Sequence, residues 1–174
     1  MIEPVTLTVR DEAVTDLASS FEEFFRSEYP ALARALVLLT GSGSEAEDLA
    51  QEAMARAYER WGRVARMESP VGYVYRTAMN LNRKRVRRLA VRTRKVFASA
   101  PGPDPADAAG ARADVLRAVR DLPVGQREAL ALVEWSGLSA EEASRVLGID
   151  AASVRGRLYR ARATLRDRLE VKDE

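Results

Sequence analysis

Two residue types are missing from these 174 residues, cysteine and histidine. Without cysteine, no disulfide framework and no thiolate metal site can form. Without histidine, the commonest general base and the commonest metal ligand are gone as well. Aromatics make up only 6% of the chain while alanine, leucine, arginine and glutamate dominate it, a balance that favours helix. No apolar run approaches the roughly 20 residues of a membrane span, and the first residues lack the basic-then-apolar order of a secretory signal. These absences leave the expectation of a cytoplasmic chain with no membrane insertion, no metal and no cofactor.

What is present is an uneven distribution of charge. Lys and Arg total 28 against 26 Asp and Glu, close to balance. From Glu3 to Glu52, however, eleven acidic residues accompany three basic ones, and from Arg56 to Lys95 thirteen basic residues accompany two acidic ones. Such a chain has an acidic side and a basic side, and two different partners are expected for them.

Apolar residues recur at helical spacing almost throughout, so an all-α fold is expected, built as two small helical domains joined by a Pro/Ala-rich linker. Residues 1–17 show no period and read as a loose arm. Residues 18–95 form the first domain, in which Pro30 should kink or restart the opening helix. Gly41 and Gly43 should end that helix, and Ser44 with Glu47 has the spacing of a capping box for the next one, which buries Ala46, Leu49, Ala53, Ala57 and Trp61. A further helix should start near Pro70. Residues 96–112 form the linker, where Pro101, Pro103 and Pro105 alternate and exclude helix. Residues 113–174 form the second domain, with helices over 113–122, 124–135, 140–147 and 151–169.

The second domain carries a helix-turn-helix pattern in "SAEEASRVLGIDAASVRGRLYRARATLRDRL". Two closely crossing helices need a small residue, a glycine in the turn and a branched residue early in the second helix, and Ser144, Gly148 and Val154 meet those needs. Asp150 is a suitable N-cap. At about 100° per residue, Val154, Leu158, Ala161, Leu165 and Leu169 form one apolar stripe, leaving the arginines outside it. Ser153, Arg155, Gly156 and Arg157, near the helix start, are expected to approach base edges, and Arg160 and Arg162 to meet phosphates.

The first domain ends in "YRTAMNLNRKRVRRLAVRTRK", with nine basic side chains and no acidic one. Cations alone would neutralise phosphate without reading sequence. Tyr73, Tyr75, Asn80 and Asn82 are interleaved with them, and such groups stack on and hydrogen-bond to unpaired bases. A solvated basic face, or tyrosines packed in the core, is the plainer alternative.

In order along the chain stand "AEDLAQEAMARAYERW", "SPVGYVYRTAMNLNRKRVRR", a Pro-rich stretch and "LPVGQREALALVEWSGLSAEEASRVLGIDAASVRGRLYRARATLRDRL". Over about residues 20–170 this resembles a bacterial RNA polymerase sigma factor of the extracytoplasmic-function type. The resemblance implies a dissociable subunit of core RNA polymerase that selects promoter DNA, is not itself an enzyme, and can be held by an anti-sigma factor. It places Asp48, Leu49, Gln51, Glu52 and Arg56 at the polymerase contact. It assigns Tyr73, Tyr75, Arg76, Asn80, Arg83, Lys84, Arg85, Arg87 and Arg88 to the −10 element and its melting. Ser153, Arg155, Gly156, Arg157, Arg160 and Arg162 fall to the −35 element. The sequence departs from the family's habit at Tyr73, where Trp is frequent, at Lys84, where an acidic residue is frequent, and at Ser144, where alanine is usual.

Two other classes remain in view from the residues. A helix-turn-helix repressor or activator acting without polymerase would need a dimer seam, and no sustained heptad pattern supplies one. A nucleic-acid enzyme could use the pairs Glu47/Asp48 or Glu141/Glu142 to hold magnesium, but sequence neighbours on a helix diverge in direction, and both pairs suit first-turn charges opposing the helix dipole.

Overall fold

The computed structural model describes residues 8–95 and 111–170, and every regular element among them is helical. The first module comprises α1 (Thr8–Thr40), α2 (Gly43–Tyr58), the single turn α3 (Trp61–Val64) and α4 (Pro70–Lys95). The second comprises α5 (Ala111–Arg120), α6 (Val124–Leu130) continuing into a π-helical turn (Ala131–Trp135), α7 (Ala140–Leu147) and α8 (Ala151–Glu170). The Pro-rich stretch expected as a linker lies outside the described residues.

In the first module α1 packs along α2, and α2 along α4. Leu32, Ala35 and Leu36 of α1, Ala46, Ala50, Ala53 and Ala57 of α2, and Ala78 and Met79 of α4 are fully buried, so the alanines let the helices approach closely. An aromatic cluster closes one end: Trp61 meets Phe21 edge-on at 5.1 Å and Phe24 at 4.8 Å between ring centroids. The two modules are not separate bodies on a string. Helix α4 packs on α7, α1 packs against the π-helical turn, and the buried residues of both modules form one continuous apolar cluster.

Three local expectations are corrected. Helix α1 begins at Thr8, within the stretch expected as a loose arm, and runs through Pro30 without ending. The lost hydrogen bond at Pro30 is outweighed by the apolar face that follows it, Leu32 to Leu39, which packs into the core. The cap of α2 is Ser42 rather than Ser44: its side chain accepts from the Glu45 N–H. Gly41 takes φ 74° there, and any side chain at this position would run into Arg120 of the second module.

The helix-turn-helix is formed by α7 and α8. Ser139 caps α7 in a complete capping box with Glu142. Gly148 ends it with φ 70°, the left-handed conformation that glycine adopts without penalty. Val154 is fully buried against the turn. The fully buried small residue of α7 is Ala143, with Ser144 only half-buried, so the close crossing expected at Ser144 centres one position earlier. Asp150 receives both the Ser153 N–H and the Ser153 hydroxyl at 2.7 Å.

Two stability outcomes follow from this packing. Leu36→Ala should cost about 2–5 kcal/mol in chemical denaturation, as a cavity in a fully buried site. Leu17→Ala, at 41% exposure, should stay within about 0.5 kcal/mol. The Ser153 hydroxyl, then its N–H, hold the Asp150 carboxyl below its ordinary value. Its stabilising contribution is therefore complete above about pH 4 and is lost as pH falls through the depressed value. Thermal melts of Asp150→Ala should show a lowered midpoint at neutral pH that converges with the parent on acidification.

Candidate nucleic-acid interface

Helix α4 presents a solvent-facing stripe at three- and four-residue steps. Arg76, Asn80, Lys84, Arg87 and Arg88 are exposed on it, and Tyr73 is half-buried at its start. Facing α2 across this stripe is an open groove of about 470 Å³ walled by Arg56, Arg60, Tyr73, Thr77, Asn80 and Lys84 together with the carboxylates of Glu52 and Glu59. The Thr77 hydroxyl donates to the Tyr73 carbonyl at 2.8 Å. A phenol ring, an amide and several cations around one concavity can stack on a base, hydrogen-bond to its edge and hold its phosphate.

Not every residue expected at this face lies on it. Tyr75 points inward and is 1% exposed, and burial raises its hydroxyl above the ordinary value. It is corrected from DNA contact to core, because α4's inward phase takes Val74, Tyr75, Ala78 and Met79 together. Asn82 is buried by the same phase. Arg85 is half-buried in an ion pair with Glu45 of α2. Arg83 is turned towards the second module: its Nε donates to Glu128 Oε1 at 2.8 Å and its Nη2 to Glu128 Oε2 at 2.9 Å. That carboxylate raises the guanidinium above its ordinary pKa.

On α2, Asp48, Gln51, Glu52 and Arg56 share one exposed face, and Arg56 donates to Glu52 at 2.8 Å one turn away. Leu49 is buried beneath them and supports the helix from the core side, which corrects its expected place at a protein contact. An exposed acidic helix face of this kind suits a basic protein surface.

On α8, Arg155 and Arg160 are exposed, and Ser153, Gly156 and Arg157 are half-buried. Arg155 is paired with Glu141 of α7 at 2.9 Å, and Arg162 with Glu134 of the π-helical turn. Arg157 lies over Gly125. Two cations of α8 are thus held by carboxylates of their own module, Arg155 in the helix's N-terminal half and Arg162 further along.

Sequence reasoning left four residues out of its candidate sites. Tyr159 is 76% exposed beside the arginines, and its position one step off the apolar stripe was the available signal. Arg60 and Thr77 line the α2–α4 groove, which only the folding of α3 brings together. Glu128 is 3% exposed, and the helical phase it shares with Ala131 and Leu132 pointed inward.

Comparison with known proteins places this geometry. Residues 24–92 match the model for Sigma-70 region 2 and residues 112–165 that for Sigma-70, region 4. The chain is 33% identical over 155 residues to the RNA polymerase sigma-E factor of Streptomyces antibioticus, covering 88% of this chain and 86% of that one. It is 30% identical over 152 residues to the ECF RNA polymerase sigma factor SigM of Mycobacterium tuberculosis, covering 84% and 75%. The fold is similar to that of the sigma factor RpoE of Bartonella quintana, solved with the anti-sigma factor NepR, at TM-score 0.76 and 24% identity over 87% of this chain and 98% of that one. It is also similar to CnrH, solved with the cytosolic domain of CnrY, at TM-score 0.61 and 23% identity over 88% and 90%. No helix among the described residues is long and apolar enough to cross a membrane. The chain belongs to the extracytoplasmic-function sigma factors of bacterial RNA polymerase.

Proposed function

We propose that this sigma factor directs core RNA polymerase, in the cytoplasm, to promoters that it reads at two places, a duplex −35 element and an opened −10 strand. The observation that carries this reading is the pairing of two different cationic helices in one chain. Helix α8 follows a tight turn and offers arginines with a small residue, Gly156, at its approach side, as major-groove reading requires. Helix α4 offers cations mixed with Tyr73 and Asn80 beside a groove, as capture of an unpaired base requires.

The division of labour follows from the chemistry of each face. Ser153, Arg155, Gly156 and Arg157 approach base edges, and Arg160, Arg162 and the exposed Tyr159 lie where the phosphate backbone would pass. Tyr73, Arg76, Asn80, Lys84, Arg87 and Arg88 hold the opened strand. Extruding a base costs a few kcal/mol, which stacking and hydrogen bonds in the groove offset. The exposed face of Asp48, Gln51, Glu52 and Arg56 docks on the polymerase, which performs the bond-making itself. An anti-sigma factor is a further expected partner, consistent with the solved relatives described above.

Run-off transcription with core polymerase over a promoter library tests the whole reading. Added sigma should start new, discrete transcripts, and their absence would refute it. Arg155→Ala should weaken −35 duplex binding about tenfold in gel shifts, the value of about one lost base contact. Asn80→Ala should leave duplex binding within about twofold while slowing appearance of permanganate-reactive thymines near −10. Equal loss of duplex binding in both variants would contradict the assignment.

A further inference from the structure

Resting on that reading of α4, we propose that the turn α3 extends the −10 face: Arg60, Arg63 and Arg66 form a ladder that holds the phosphates of the opened strand next to the nucleotides captured in the groove. Three arginines fall here within seven residues, "RWGRVAR", with no acidic residue among them. All three are exposed, and among the described residues none has a side-chain hydrogen bond or an ion pair. They contrast with Arg83 and Arg85 of α4, which are committed to Glu128 and Glu45. Arg60 also stands in the wall of the α2–α4 groove, so the ladder begins where the captured base would lie.

The backbone sets the spacing of the ladder. The Arg63 N–H bonds to the Arg60 carbonyl at 2.9 Å and the Arg66 N–H to the Arg63 carbonyl at 3.2 Å, three-residue steps that bring every third side chain to the same side. Each step advances roughly 5–6 Å along the axis, comparable to the step between successive phosphates of a single strand. One arginine can then serve one phosphate. The neighbouring row, Trp61 and Val64, is buried, and Trp61 packs on Phe21 and Phe24 with ring centroids 5.1 and 4.8 Å away. The cations are therefore presented on a fixed support.

Gly62 points the same way. It is exposed, its φ lies outside the left-handed region, and a Cβ built there would meet nothing within 4 Å. The fold therefore asks for no glycine at this position, where glycine weakens a helix relative to alanine. What the missing side chain provides is room. Arg60, Gly62 and Arg63 line one open concavity, with Glu59 also in its lining. A phosphate can approach the helix backbone there between two guanidinium groups, and two cations outweigh the one carboxylate. Planar forks repeated at regular steps match a row of phosphates, and their continuity with the groove assigns them to the strand rather than to an acidic protein.

Holoenzyme assembled from the full chain and core polymerase is titrated with labelled single-stranded oligonucleotides, a −10 strand and the same strand lengthened by three nucleotides at one end or the other. Lengthening at one end should tighten binding. The double variant Arg63→Ala/Arg66→Ala should remove that gain, about tenfold at low salt, and leave the short strand within about twofold. For the long strand its slope of log affinity against log salt should fall by about 1.4, roughly 0.7 for each lost phosphate contact. Gly62→Leu keeps every charge but fills the concavity, and it should lose most of the same gain without lowering the thermal midpoint. No gain on lengthening, an equal loss on both strands or an unchanged salt slope overturns the ladder. So does a loss of affinity for core polymerase alone, which would give the row to a protein surface. The −10 reading itself fails on a different signal, short-strand binding that Asn80→Ala leaves unchanged.

Discussion

A carboxylate taken out of water must find a cation, and in this chain Glu128 finds it on the other module. An unpaired charge at that depth would cost several kcal/mol, and removing one member of such a pair costs about 3–5 kcal/mol. The orientation of α6 against α4 is therefore constrained by more than apolar fit. Apolar contact between α1 and the π-helical turn sets the modules against each other. The two-point pair then fixes the register, because a slide by one helical step would separate Glu128 from Arg83. The π-helical turn has a part in this: the Ser136 N–H bonds back to Ala131 at 3.1 Å, and the widened turn carries Leu132 into the shared core.

The other arginine pairs behave differently. Arg155 with Glu141, Arg162 with Glu134 and Arg168 with Asp121 all involve largely solvent-exposed side chains. Water and salt screen such pairs, and their net contribution to stability is small. They hold guanidinium groups in place without binding them tightly, so DNA phosphate can take those cations over at little cost. Burial sorts the arginine pairs into two kinds: those of α8 stand open to water, whereas Arg83, off the exposed stripe of α4, is committed to a desolvated carboxylate.

Much of the architecture was legible in the sequence because it rests on local chemistry. Helical phase gave α7 and α8 nearly to the residue and the starts of α2 and α4, though Trp61, expected on α2, sits in the separate turn α3, and the glycine at 148 and the aspartate at 150 marked the helix-turn-helix through backbone conformation and capping. Errors arose where a distant contact outweighed a local rule. Pro30 predicts a kink or a restart, but α1 runs on through it without restarting, with the packed face Leu32 to Leu39 beyond it. Ser44 has the right spacing for a cap, but Ser42, directly after the left-handed Gly41, takes that place. Tyr75 reads as a base-stacking group from its basic neighbours, and only the phase it shares with Ala78 and Met79 says otherwise. The sequence charge count likewise treated Arg83 as one cation among nine. Its partner 45 residues away was invisible to any reading of neighbours.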